Sequence, residues 1–110
     1  MYWLTKYSIA AAFSVSNACL LPHWDAITKA LNLANEQNKA IDRSTVAAGF
    51  LYAAARFNAF VIASQCGDNK AFETEKAAAI DYFVNQYKIG LTENIADYSA
   101  NFDQYINDQN

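Results

Sequence analysis

Large apolar side chains recur every three or four positions along the last third of this 110-residue chain. The run consists of Ile80, Phe83, Tyr87, Leu91, Ile95, Tyr98, Phe102 and Tyr105. This spacing follows the 3.6 residues of an α-helical turn and not the alternation of a β-strand. The spacing predicts one long helix whose apolar side must be covered by another helix or by a second chain.

The amino-acid composition predicts helices for the rest of the chain as well. Only three glycines and one proline are present, and 54% of the residues are hydrophobic. A β-rich fold of this length would need several tight turns, which normally require more glycine and proline. We therefore predict an all-α fold, a small helical bundle.

The helix signals predict three main helices at about residues 23–40, 44–65 and 70–106, with a further N-terminal helix as one alternative. Ser44 is a suitable N-cap for the second helix, and Gly67 is a suitable left-handed stop at its end. Gly90 could break the last helix, with Thr92 as a new N-cap. A single glycine costs only about 1 kcal/mol relative to alanine, so an unbroken helix is favoured.

The second helix is apolar on nearly all sides, which is typical of a helix in the middle of a bundle. It also contains Arg56, with Tyr52 and Phe60 four residues before and after it on the same face. Arg56 could be a structural clasp that pairs with Glu36 or Asp42 or caps a neighbouring helix, the more common role of a charged group in a core. Alternatively, Arg56 could bind an anion or a small ligand between the two rings.

The first 22 residues are interpreted as an extension to a single helical domain at residues 23–110. The extension could be a helix, a disordered segment or, if residues 1–18 act as a signal peptide, a leader for export. The two cysteines, Cys19 and Cys66, do not form a disulfide framework, so a cytoplasmic location is the simpler expectation.

The charge pattern argues against nucleic-acid and membrane partners. The net charge is −3, and no basic residue follows Lys88. An acidic C-terminal end would repel both phosphates and lipid headgroups.

The sequence contains no recognisable catalytic, cofactor or metal site. His23 is the single histidine and has no cysteine or histidine at metal-ligand spacing. No serine or cysteine has an activating partner nearby in sequence, and the isolated glycines form no phosphate-binding loop. We therefore expect a non-enzymatic protein without cofactors.

The remaining candidates are two sets of contact residues. Tyr98, Phe102 and Tyr105 lie along one edge of the last helix and could form an interface, since tyrosine is enriched there. These residues predict an interaction module that forms a homo-oligomer, such as a dimer, or binds another protein. Tyr52, Arg56 and Phe60 form the alternative site for a small ligand or anion.

Four segments carry a resemblance to a known family: WDAITKALNLANEQNK, LYAAARFNAF, YFVNQYK and ENIADYSANFDQYI. In this order they resemble a family of short, mostly proteobacterial proteins catalogued only as a domain of unknown function. The resemblance covers roughly Trp24 to Ile106 and implies a small helical fold, but no substrate, cofactor or catalytic residue. Residues 1–21 precede the position at which family members are expected to begin. Gly90 stands where a larger apolar residue is expected, which weakens the prediction of an unbroken last helix.

Overall fold

A computed structural model of the chain describes residues 20–107, with side chains from residue 24 onward. This part contains three long helices, α1 (Leu20–Gln37), α2 (Arg43–Cys66) and α3 (Asn69–Ala100), and a π-helical segment, Asp103–Asn107. Residues 20–107 contain no β-strand, so the predicted all-α fold with three main helices is confirmed. Residues 1–19 lie outside the described part of the chain, and with them most of the N-terminal extension that was predicted to be a helix, a disordered segment or a leader.

The first helix begins and ends about three residues earlier than predicted. Pro22 lies in its first turn, where the N–H group that proline lacks has no intrahelical acceptor. After Gln37 the chain tightens, because the N–H groups of Lys39 and Ala40 donate to carbonyls only three residues back, at 3.2 Å. Lys39 also forms an ion pair with Glu36, with 3.0 Å between Nζ and Oε2.

The N-cap of the second helix is Asp42, whereas the sequence analysis had predicted Ser44. Asp42 has the non-helical backbone of an N-cap, and its carboxylate accepts hydrogen bonds from both the N–H (3.1 Å) and the hydroxyl of Ser44. An aspartate caps as well as a serine does, and its negative charge is additionally stabilised at a helix N-terminus. The helix therefore starts at the earlier of the two capping residues.

The end of α2 confirms the prediction made for Gly67. Its φ is 85°, a left-handed conformation that costs glycine little, and its N–H donates to the Ala63 carbonyl at 3.2 Å. Asp68 follows at once, and its Oδ1 accepts a 2.8 Å hydrogen bond from the Ala71 N–H. Two neighbouring residues thus end α2 and begin α3.

The third helix runs through Gly90 without a break, which confirms the favoured alternative. Thr92 does not cap a new helix, since its hydroxyl donates back to the Lys88 carbonyl at 2.6 Å. The helix nevertheless ends at Ala100 and not near residue 106. Residues 103–107 continue as a π-helical segment, a wider helical form that changes the direction of the side chains.

The chain divides into two compact units, Met1–Thr74 and Glu75–Asn110. The first contains α1, α2 and the start of α3, and α1 contacts α2 directly. Its buried hydrophobic residues, among those described, are Ile62 and Cys66. In the described part of the second unit, Ala79 is the buried hydrophobic residue. The single domain predicted for residues 23–110 stays a prediction.

Helix α2 has the predicted apolar surface on all sides but not the predicted burial. Leu51, Tyr52, Phe57 and Phe60 are each more than half exposed. Within the described part of the first unit, residues 20–74, these side chains are left uncovered, so the central position expected for α2 is not found in that unit. By length and composition alone, α2 is also apolar enough to cross a membrane.

Candidate functional site

Arg56 lies at an apolar recess in the first unit, with a volume of about 680 Å³. The recess is lined by Ala53, Arg56, Phe57, Ala59, Phe60, Ala63 and Phe72. On α2, Ala59 and Ala63 are four residues apart, so they share one face and leave a shallow floor beside the rings. Arg56 is the only charged residue in this lining.

The clasp expected for Arg56 is not formed in the described part of the chain. Glu36 pairs with Lys39, and Asp42 is engaged as the N-cap of α2. Arg56 takes part in neither of the ion pairs Lys29–Asp25 and Lys39–Glu36. A recess beside an arginine that has no carboxylate partner is the arrangement that favours the ligand-binding interpretation.

The predicted pair of rings around Arg56 is only half present. Phe60 lines the recess, whereas Tyr52 is 73% exposed and does not line it. Phe57 takes part instead, with its ring centroid 6.1 Å from that of Phe60. Phe72 was missed because it comes from the start of α3, and spacing along one helix cannot reveal a neighbour from another.

In the second unit, one face of α3 is apolar and exposed along its length. We define the α3 stripe as Ile80, Val84, Tyr87, Leu91, Ile95, Tyr98 and Phe102. Each of these residues is between 44% and 64% exposed. The C-terminal part of the stripe forms a groove that Asn94 and Ser99 flank. Val84 replaces the predicted Phe83, which is half-buried.

Of the three edge residues predicted on the last helix, two lie on the α3 stripe and one does not. Tyr98 and Phe102 line the groove. Tyr105 lies in the π-helical segment, where it is half-buried, and its hydroxyl donates to Asp97 Oδ2 at 3.0 Å. The Tyr98 and Tyr105 ring centroids are 4.8 Å apart.

Asp97 is the centre of a small polar cluster that fastens the π-helical segment to α3. Asn101 Nδ2 donates to both the carbonyl and Oδ1 of Asp97, each at 3.0 Å. The hydrogen bond to Asp97 raises the pKa of Tyr105, and the negative charge of Asp97 adds to that effect. Sequence spacing did not predict this pairing, because Tyr105 and Asp97 are eight residues apart, whereas neighbours on a helix face are three or four residues apart.

The comparison with protein families matches residues 23–99 to the model for DUF3144, described as a protein of unknown function. This match covers more than half of the chain. The chain belongs to the DUF3144 family. No curated protein and no solved structure matches it.

The DUF3144 match confirms the predicted resemblance, with bounds close to the expected 24–106. It includes the recess at Arg56 and all of the α3 stripe except Phe102. The family description assigns no activity, so any role of these two surfaces must be argued from their geometry. Across residues 24–107, no three histidine, cysteine, aspartate or glutamate side chains gather as metal ligands would.

Proposed function

We propose that the chain is a non-enzymatic interaction module that self-associates through the α3 stripe. The observation that carries this proposal is the continuous exposure of six large apolar residues along one face of α3 and of Phe102 just after it. Isolated exposed apolar residues are ordinary on protein surfaces, but a contiguous patch of this size is typical of a binding surface.

The area of the α3 stripe supports a specific interface. Each of its seven residues is between 44% and 64% exposed, so the apolar area that a partner could cover is contiguous and not scattered. The stripe also contains three aromatic residues, Tyr87, Tyr98 and Phe102, and aromatic side chains are enriched in interfaces. A helix face with this area and composition is suited to a helix of a partner.

We infer that the chain is cytoplasmic and that the exposed surface of α2 contacts water or protein and not lipid. Arg56 lies near the middle of α2, and Asn58 lies two residues further on. An arginine at the centre of a membrane-spanning helix costs about 2.5–3.5 kcal/mol on insertion scales, so the helix is poorly suited to span a bilayer.

The experiment that tests self-association is a measurement of molar mass by light scattering across a range of protein concentrations. The wild-type chain is expected to reach the mass of a dimer as the concentration rises. Ile95→Glu places a charge within the stripe and is expected to leave a monomer. Gln86→Glu adds the same charge elsewhere on the exposed surface of α3 and is expected to behave like the wild type. A wild-type monomer at every concentration would refute the proposal.

A second candidate function is the binding, at the recess beside Arg56, of a small anion that also has an apolar part. The observation that favours it is a charged guanidinium beside three phenylalanine rings, with no carboxylate of residues 24–107 paired to Arg56. Guanidinium groups bind carboxylates through two parallel hydrogen bonds, while the rings would contact the apolar part of the ligand.

Benzoate is a suitable probe for this second function, because it combines a carboxylate with a ring. Titration followed by NMR should shift the Arg56 Nε–H signal and the Phe57 and Phe60 ring signals, with saturation. The Arg56→Gln variant should show no saturable shift. Uniform small shifts in both proteins would indicate only weak non-specific binding and would exclude the site.

A further inference from the structure

The α3 stripe is symmetric in its spacing about Leu91. Towards the N-terminus its members follow at steps of 4, 3 and 4 residues to Ile80, and towards the C-terminus they follow at the same steps to Phe102. A twofold axis beside Leu91 would therefore place every stripe residue of one chain opposite a stripe residue of an antiparallel second chain.

The sizes of the side chains match in the antiparallel arrangement. Across such an axis Tyr87 would face Ile95, Tyr98 would face Val84, and Phe102 would face Ile80, each from the other copy. Every aromatic ring is thereby opposed by a smaller β-branched residue. Pairing of large with small side chains lets two faces interdigitate, whereas a parallel in-register pair would set ring against ring and valine against valine.

The charge distribution also favours antiparallel pairing. Carboxylates at Glu93, Asp97 and Asp103 follow Lys88, with no basic residue among them. A parallel pair would hold these acidic ends side by side, and like charges at short distance repel. An antiparallel pair separates the two acidic ends and places each beside the N-terminal half of the other helix, where Lys76 and Lys88 are balanced by Glu75 and Asp81.

The period of the stripe suits two nearly straight helices. Ile80, Leu91 and Phe102 are 11 residues apart, which corresponds to 3.67 residues per turn and lies close to the 3.6 of a straight helix. The stripe therefore runs almost along the axis of α3, and contact can continue over its whole length.

We propose that two copies of this chain pair antiparallel along α3, about a twofold axis beside Leu91. This inference rests on the proposed self-association and specifies its geometry. The interface is isologous: where one residue of the first copy contacts a second residue of the other copy, the same two residues also meet with the copies exchanged. The two Leu91 side chains meet at the axis, while each Ile80 meets the Phe102 of the other copy.

Cysteine cross-linking tests this geometry in the full-length chain, with Cys19 and Cys66 replaced by alanine and the helical content checked by circular dichroism. Leu91→Cys should form a disulfide-linked dimer rapidly on mild oxidation. Ile80→Cys should not, because its two copies would lie about 33 Å apart at 1.5 Å per residue. A mixture of Ile80→Cys and Phe102→Cys should give the mixed disulfide. Gln86→Cys, which lies off the stripe, reports the background of random collisions.

The outcomes separate the pairing from the self-association on which it rests. If light scattering shows a monomer, the proposed function fails, and the pairing fails with it. If it shows a dimer in which Ile80→Cys links to itself as readily as Leu91→Cys does, self-association stands and the chains are parallel. If it shows a dimer in which neither position links above the Gln86→Cys background, another surface forms the interface and the proposed pairing is wrong.

Discussion

Arg56 is the residue at which a structural role and a binding role can be separated most directly. It lines an apolar recess and forms no ion pair with a carboxylate of residues 24–107. Arg56→Met keeps most of the stem and removes the charge, so the free energy of unfolding should change by no more than about 0.5 kcal/mol, as is usual for surface sites. Urea denaturation measures this change, with Arg43→Met as the control on the same helix. A loss of about 2 kcal/mol or more would restore the clasp interpretation.

Asp42 is the residue whose charge should make stability depend on pH. Its hydrogen bond from the Ser44 hydroxyl, together with backbone N–H donors, lowers the pKa of the Asp42 carboxyl below its ordinary value. A carboxyl with a lowered folded-state pKa stabilises the fold above the unfolded pKa, and this contribution is lost as the pH falls through the folded pKa.

The matched variants at this position are Asp42→Ala and Asp42→Asn. At neutral pH the alanine variant should melt at a lower temperature than the wild type, because the N-cap is lost. This difference should shrink in acid. Asp42→Asn retains a capping side chain without the charge and should show a flatter dependence on pH. A deficit of the alanine variant that is equal at neutral and acidic pH would exclude the ionised cap.

At the scale of elements, Gly90 is a weak point within α3 that serves no visible packing purpose. A Cβ added there would meet no atom within 4 Å, and the helix is continuous on both sides. Gly90→Ala should therefore stabilise the chain by up to about 1 kcal/mol, mainly through helix propensity. Gly67→Ala is the opposite control, because its φ of 85° disfavours a residue with a Cβ. Chemical denaturation of both variants should move the midpoints in opposite directions, and a loss of stability in Gly90→Ala would show that the glycine is required.

The π-helical segment should depend on the hydrogen bond between Tyr105 and Asp97. Tyr105→Phe keeps the ring against Tyr98 and removes this bond, so the amides of residues 103–107 should exchange with solvent faster. Because the pKa of Tyr105 is raised, the contribution of its protonated hydroxyl should persist below the ordinary tyrosine pKa and disappear as the pH rises through the folded value. Hydrogen exchange measured by mass spectrometry tests the variant, and unchanged exchange would mean that backbone bonds alone hold the segment.

The elements also show which features the sequence could predict. The spacing of apolar residues predicted α3, and the turn chemistry of Gly67 predicted the end of α2, because both depend on interactions within a few residues. The choice of Asp42 over Ser44 as the N-cap was not predictable, since the two residues are nearly equal in capping strength. The end of α3 at Ala100 was missed because the apolar spacing continues into the π-helical segment while the backbone geometry changes.

At the scale of the whole molecule, parts of the candidate sites were missed because sequence patterns report only on residues that are close together in the chain. Phe72 joins the recess from a different helix, and the exposure of α2 depends on how few residues of the chain pack against it. The sequence predicted that apolar faces exist, because that requires only composition and period. Which faces the chain covers by itself depends on tertiary packing, which a periodicity does not encode.

The second unit has a charge imbalance that should govern how the self-association responds to salt. Glu75–Asn110 contains two basic and six acidic residues, so two copies that pair along α3 bring together surfaces of the same net sign. Salt screens such repulsion over a Debye length of about 8 Å at physiological ionic strength, while contacts between apolar side chains do not weaken. The dissociation constant of the dimer, measured by sedimentation equilibrium, should therefore fall as sodium chloride is raised.

A dissociation constant that rises with salt would show that ion pairs hold the copies together. An ion pair between Arg56 and a carboxylate of the other copy would then be the contact to test. Arg56→Gln should then weaken the dimer at low salt and remove most of its salt dependence, whereas an interface formed by the α3 stripe should leave both unchanged.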